Sequence, residues 1–174
     1  MKPAVQPDRF PGLNGTPLVE RFLADPEATR AFGARLGGIL EAGSFLGLIG
    51  ELGAGKTTLM QGLVDSLGKS EAEASSPTYA LVQEYETVPP IFHMDLYRLE
   101  SFDDLESIGY WDYLDDRRGI CCVEWLDRIP EAWPQEGWIL ELRREDGGRR
   151  VRLYGDRRRS AEDDDRLSEG LAGL

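Results

Sequence analysis

Residues Gly50-Glu51-Leu52-Gly53-Ala54-Gly55-Lys56-Thr57 match G-x-x-x-x-G-K-[ST] at every fixed position. These residue types suit one task, the holding of a chain of phosphates. Glycines let the backbone curl until consecutive N–H groups point into one concavity, which the positive end of a following helix continues. Lys56 adds a compact point charge between the β- and γ-phosphates, and the Thr57 hydroxyl is of the kind that ligates magnesium. Glu51, Leu52, Gly53, Ala54, Gly55, Lys56, Thr57 and Thr58 are therefore the predicted nucleotide-binding residues. Lys2, Lys56 and Lys69 are the only lysines among 20 basic residues, yet one stands where the loop needs it. The bland alternative is a glycine-rich turn with an incidental lysine. A chain of this composition would produce the match by chance with a frequency of roughly 0.3%.

A phosphate site with magnesium also needs carboxylates, which usually stand where an apolar strand ends beside the loop. Asp95 follows Ile91-Phe92-His93-Met94, and Glu124 follows Ile120-Cys121-Cys122-Val123. Either acid alone is an ordinary strand-end residue. Two carboxylates converging on a polyphosphate would repel it, so the pair makes sense only around a divalent cation. The predicted magnesium ligands are Thr57, Asp95 and Glu124. Lys56, Asp95 and Glu124 are the predicted catalytic residues, with Glu124 long enough to reach an attacking water or the outer shell of the metal. Ser76 and Thr78 flank Pro77 and have two readings, a switch loop sensing the γ-phosphate or a proline-initiated turn. His93, the single histidine, reads as a brace for its strand more than as a base. Arg98 either reaches the phosphates or pairs with a nearby acid.

Elements must position these side chains. The apolar run Phe45–Ile49 has the length and richness of a buried strand. Leu59, Met60, Leu63, Val64 and Leu67 recur at helical spacing after the loop, with Gly68 as a stop. Asp25-Pro26 is a helix start, and Ala28, Phe32, Leu36, Ile39 and Leu40 mark the apolar face of a helix ending near Ala42-Gly43. Leu18–Leu23 reads as a short edge strand. Further strands are expected over Tyr79–Tyr85, Ile91–Tyr97 and Ile120–Val123, with short helices over Phe102–Ile108 and Tyr110–Leu114. Trp138–Arg143 and Arg150–Tyr154 alternate around Asp146-Gly147-Gly148 and predict a hairpin. The expected organisation is a flexible leader over 1–17, a nucleotide-binding domain over 18–155 and a charged tail over 156–174. That tail is expected to be loose, or to dock as a short helix over Leu167–Leu174.

A length of 174 residues suits one domain with a proper core. No apolar run approaches the ~20 residues that span a membrane. Cys121 and Cys122 are adjacent in an apolar run, which suits buried thiols in a reducing compartment, so a cytoplasmic protein is expected. The net charge of −12 argues against extensive direct nucleic-acid binding, which needs a basic footprint. It leaves nucleotide binding open, because screening confines exposed charges to about 8 Å.

Gly50–Thr58, Ser76-Pro77-Thr78-Tyr79, His93-Met94-Asp95-Leu96-Tyr97-Arg98-Leu99 and Val123-Glu124-Trp125 appear in the order and spacing of the TsaE (YjeE) family, which the chain resembles from Leu18 to Tyr154. The resemblance implies an α/β P-loop NTPase sandwich with a mixed, partly parallel sheet flanked by helices. It implies ATP and Mg2+ as ligands, Asp95 as the magnesium aspartate, and Glu124 with Trp125 as the family's glutamate–tryptophan pair. Trp125 and Arg98 become candidate contacts for nucleotide or partner. The implied role is an ATPase, slow alone, that assists the TsaD–TsaB complex forming threonylcarbamoyladenosine in tRNA by coupling hydrolysis to its turnover or resetting. A small-molecule P-loop kinase is the main rival, but nothing in the chain resembles an acceptor site. A GTPase is disfavoured because the only asparagine is Asn14, which leaves no Asn-Lys-x-Asp motif for guanine.

Overall fold

The computed structural model describes residues 15–68, 81–134, 136–155 and 161–172. Ser76, Thr78 and Tyr79 lie outside the described residues, as do residues 1–14 of the expected leader. The chain runs β1 (Val19–Leu23), α1 (Pro26–Ile39), β2 (Phe45–Ile49), α2 (Lys56–Ser66), β3 (Val82–Tyr85) and β4 (Ile91–Asp95). It continues through α3 (Phe102–Ser107), α4 (Tyr110–Asp115), β5 (Ile120–Glu124), β6 (Trp138–Glu145), β7 (Gly148–Gly155) and α5 (Ala161–Gly170).

The apolar runs become sheet interior. Every residue of β2, β4 and β5 is buried, as expected of strands covered on both faces. One seven-stranded sheet has the order β1-β7-β6-β2-β5-β4-β3. Its four central strands β6, β2, β5 and β4 are parallel, while β1–β7, β7–β6 and β4–β3 are antiparallel. This is the mixed, partly parallel sheet that the resemblance implies. Strand alternation sends Leu46 and Leu48 into a cluster with Phe32, Leu36, Leu59 and Leu63 of α1 and α2. Phe45 and Ile49 face the other way, into a cluster with Leu105, Tyr110, Leu126 and Ile129. Helical segments therefore cover both faces.

Local chemistry sets the boundaries. The Asp25 side chain accepts from the Ala28 N–H at 2.7 Å, and Pro26 opens α1. Asp146-Gly147 is a two-residue connection between β6 and β7. The strand expected over Ile91–Tyr97 ends at Asp95, because Asp95 Oδ1 accepts from the Tyr97 N–H at 2.8 Å and folds the chain out of the sheet. At the C-terminus, α5 takes the docked reading. Leu167 and Leu171 are buried in the cluster beneath α1 and α2. Among the described residues no helix is long and apolar enough to cross a membrane.

Candidate functional site at the glycine loop

Parallel strands deliver their C-terminal ends to one edge of the sheet, where ligands of open α/β folds bind. There β2 stops at Ile49 and α2 begins at Lys56. The intervening turn is closed by a hydrogen bond from the Ala54 N–H to the Glu51 carbonyl at 3.1 Å. Gly53 at φ +74° and Gly55 at φ +107° occupy the left-handed region, which strains other residues. Ala54 is buried, Glu51, Leu52 and Gly53 are exposed, and Thr57 and Thr58 are half-buried in the first turn of α2. The strand–loop–helix context required by the motif is present.

Lys56 lies at the centre. Its ammonium donates to the carbonyls of Gly50 at 2.7 Å and Glu51 at 3.1 Å, and stands 4.0 Å from the centroid of the Trp125 ring. Burial holds its pKa below the ordinary lysine value, against the opposing charges of Glu124, Asp95, Asp127 and Glu51.

Sheet register brings the two predicted acids together. Pairing of β4 with β5 sets Asp95 opposite Glu124, and pairing of β2 with β5 sets Glu124 beside Leu48, two residues before the loop. Each acid is only 2% exposed. Buried carboxylates are costly without partners, and both have them. Asp95 accepts from the Tyr97 backbone, while Glu124 Oε1 accepts from His93 Nε2 at 2.9 Å. His93 is fully buried, and its Nδ1 faces the Tyr85 hydroxyl at 3.4 Å. The histidine is thus a brace, and what it holds is Glu124.

Among the described residues no three His, Cys, Asp or Glu side chains gather into a metal cage. Magnesium needs none, since it keeps several waters and takes one or two carboxylates together with substrate phosphates. Hydroxyl and carboxylate oxygens such as those of Thr57 and Asp95 have the chemistry that suits such an ion. Glu124, also predicted to ligate the metal, has one oxygen held by His93.

Trp125 is 8% exposed, with φ of +59°. A bulky residue in that region is strained. It is held there by its N–H on the Leu48 carbonyl at 3.0 Å and by its ring against Tyr97, 4.9 Å between centroids. Arg98 is exposed, and the proposed switch residues Ser76 and Thr78 lie outside the described residues. Three charged residues near the loop escaped the sequence reading. Asp127 acts on Lys56, as above. Arg144 Nε and Nη2 donate to the Gly53 carbonyl at 3.1 and 3.0 Å, and Arg149 Nη1 donates to the Ala54 carbonyl at 3.3 Å. No motif marks this pair. Their one signal was the hairpin alternation, which sets Arg144 opposite Arg149.

Similarity to known proteins extends over most of the chain. The sequence model of the family described as threonylcarbamoyl adenosine biosynthesis protein TsaE matches residues 23–152. The chain is 46% identical over 116 residues to the tRNA threonylcarbamoyladenosine biosynthesis protein TsaE of a Nostoc species, covering 65% of this chain and 71% of that one. It is 38% identical over 121 residues to the Bacillus subtilis protein of the same description, covering 69% and 74%. Among solved structures it is similar to YdiB of Bacillus subtilis, with a TM-score of 0.69 and 28% identity over 88% of this chain and 93% of that one.

Proposed function

The chain belongs to the TsaE family, and from that premise we propose that it is a magnesium-dependent ATPase serving threonylcarbamoyladenosine formation in tRNA. The observation that carries this reading is the buried meeting of Lys56, Asp95 and Glu124 at the mouth of the glycine loop. The ATPase domain comprises residues 18–155, and the protein acts in the cytoplasm.

The loop N–H groups and the first turn of α2 bind the phosphates, and Lys56 turns its ammonium from the loop carbonyls to the phosphate oxygens. Thr57 and Asp95 hold magnesium, which when bound neutralises charge on the transferring phosphoryl group. Glu124 orients the attacking water, and His93 keeps its carboxylate from swinging away. Trp125 walls the lysine from solvent, which strengthens the charge interactions inside. Ser76 and Thr78 form the switch that senses the γ-phosphate. ATP is preferred to GTP, because phosphate-binding groups are present and the guanine motif is absent.

The partner is the TsaD–TsaB transferase complex, whose turnover or resetting the hydrolysis drives. Arg98 lies exposed for contact with nucleotide or partner. Hydrolysis is slow alone, since ordering of a switch or an arginine supplied by a partner is worth about 10³–10⁵ in rate. The test is phosphate release by the protein alone, by the transferase complex alone and by both together, at two salt concentrations. A combined rate well above the sum, falling as salt rises, is expected. A combined rate equal to the sum would remove the coupling, and a phosphorylated metabolite formed together with ADP, in place of free phosphate, would favour a kinase.

A further inference from the structure

The β6–β7 hairpin carries Arg143, Arg144, Arg149, Arg150 and Arg152, and these arginines divide into two groups. Arg143 pairs with Glu141 at 2.6 Å, Arg150 with Glu145 at 2.8 Å and Arg152 with Glu20 at 2.9 Å. Arg144 and Arg149 pair with no carboxylate among the described residues, although the chain holds 32 acidic residues. Both are spent on the outer carbonyls of the glycine loop instead. Nε of Arg149 is buried without a hydrogen-bond partner among the described residues.

Their placement is unfavourable for the hairpin itself. Arg144 and Arg149 are directly opposite in the antiparallel register, where like charges repel. The neighbouring pair Arg143–Arg150 is also opposite, but there each guanidinium has its glutamate. The unneutralised pair lies close over the loop glycines. A Cβ on Gly53 would lie 2.2 Å from Arg144 Nη2, and a Cβ on Gly55 would lie 2.0 Å from Arg149 Nη1. Gly53 occupies a position that the phosphate-loop motif leaves variable, where a φ of +74° favours glycine whatever lies beside it.

From this geometry we infer that Arg144 and Arg149 form a cationic clamp on the nucleotide loop, matched in charge to a polyphosphate held on its inner side. The inference rests on the ATP-binding reading above and adds two positioning residues to that site. The two guanidinium groups sit on carbonyls of the same loop whose N–H groups would receive the phosphates. That contact is well inside the ~8 Å over which physiological salt screens charge. Donation to the Ala54 carbonyl also polarises the peptide that carries the Gly55 N–H, while donation to the Gly53 carbonyl strengthens the Ala54 N–H that closes the turn on Glu51. The repulsion between the two arginines is relieved when an anion arrives.

The experiment measures ATP and ADP dissociation constants by calorimetry at low and high salt. It uses the full chain with Arg144→Gln, Arg149→Gln, Arg149→Lys and the paired control Arg143→Gln. Each Gln variant is expected to weaken ATP about tenfold, in line with one lost charge-assisted contact, and ADP by less. The loss should shrink at high salt, Arg149→Lys should retain most of the affinity, and Arg143→Gln should match wild type. The thermal midpoint of ligand-free Arg149→Gln should equal or exceed that of wild type. Equal losses for ATP and ADP that ignore salt and are not rescued by lysine would make the pair a mere structural prop and overturn the inference. So would Gln variants that bind as wild type does. A wild-type chain that binds neither nucleotide would overturn the ATPase reading and this inference with it.

Discussion

Lys56 carries an electrostatic conflict, a buried ammonium whose burial is opposed by the charges of four acids. In the proposed ATPase, Lys56→Ala removes the point charge from the nest and abolishes ATP binding, read by calorimetry. Asp95→Asn and Glu124→Gln should spare ADP affinity within a few fold while lowering hydrolysis about 10²–10³-fold, because these groups act on charge that develops in the transition state. Normal partner-stimulated hydrolysis by Glu124→Gln would end its assignment. Cys121 and Cys122 make a separate, pH-dependent prediction. Burial pushes both thiols above the ordinary range, so the folded chain keeps them protonated while the unfolded chain ionises near pH ~8.5. A pKa raised on folding gives stability that is present below the unfolded value and lost as pH rises past it. Urea titrations at pH 7 and pH 10 should show a steeper decline for wild type than for Cys121→Ala/Cys122→Ala. Lys56, whose lowered pKa works in the opposite sense, is common to both and cancels in the difference.

Helices α1 and α2 touch through backbone. A Cβ on Gly33 would lie 2.0 Å from the Leu59 carbonyl oxygen, and one on Gly62 would lie 1.9 Å from that of Arg30. These glycines let α2, the helix that presents the loop, lie flat against α1 and keep its first turn aimed at the strand ends. Gly62→Ala cannot be absorbed by a rotamer change, since the obstacle is main chain. It should cost about 1–3 kcal/mol, the usual range for overpacking, measured as a lower urea midpoint with unchanged slope. A midpoint within error of wild type would show that the two helices slide apart freely. The Arg30–Asp65 pair across the same helices is half exposed and adds little.

On the scale of the whole molecule, the C-terminal segment closes onto the first helix. Leu167 and Leu171 are buried at 1% and 0% exposure in the cluster built by α1, α2 and the sheet. Leu167→Ala should therefore cost about 2–5 kcal/mol, a loss that an unattached tail would not produce, and the thermal midpoint reads it directly. The nucleotide reports on the same balance. ATP at about 100 times its dissociation constant should add about 2.7 kcal/mol through mass action alone. Lys56→Ala should show no such gain, which separates binding from folding.

Much of this protein is legible without coordinates, because local signals and global fold agree. The glycine loop between a buried strand and a helix, the Asp25-Pro26 start, the Asp146-Gly147 turn and the two strand-end acids all follow from spacing and residue chemistry, which act over a few positions. The assignment of His93 as a brace also came from chemistry, though its partner did not. Glu124 is 31 positions away, and only the pairing of β4 beside β5 brings the two into hydrogen-bonding distance. Register likewise decided that Asp95 faces Glu124, and the fold decided that α5 docks where charge density alone favoured a loose tail. Arg144 and Arg149 lay furthest from reach. Along the chain they are two more arginines in a hairpin of five, and nothing local distinguishes them from neighbours that have glutamates. Their position on the loop exists only once β6 pairs in parallel with β2, some 90 residues away in sequence, and a contact made by such long-range pairing leaves no periodicity for a sequence to display.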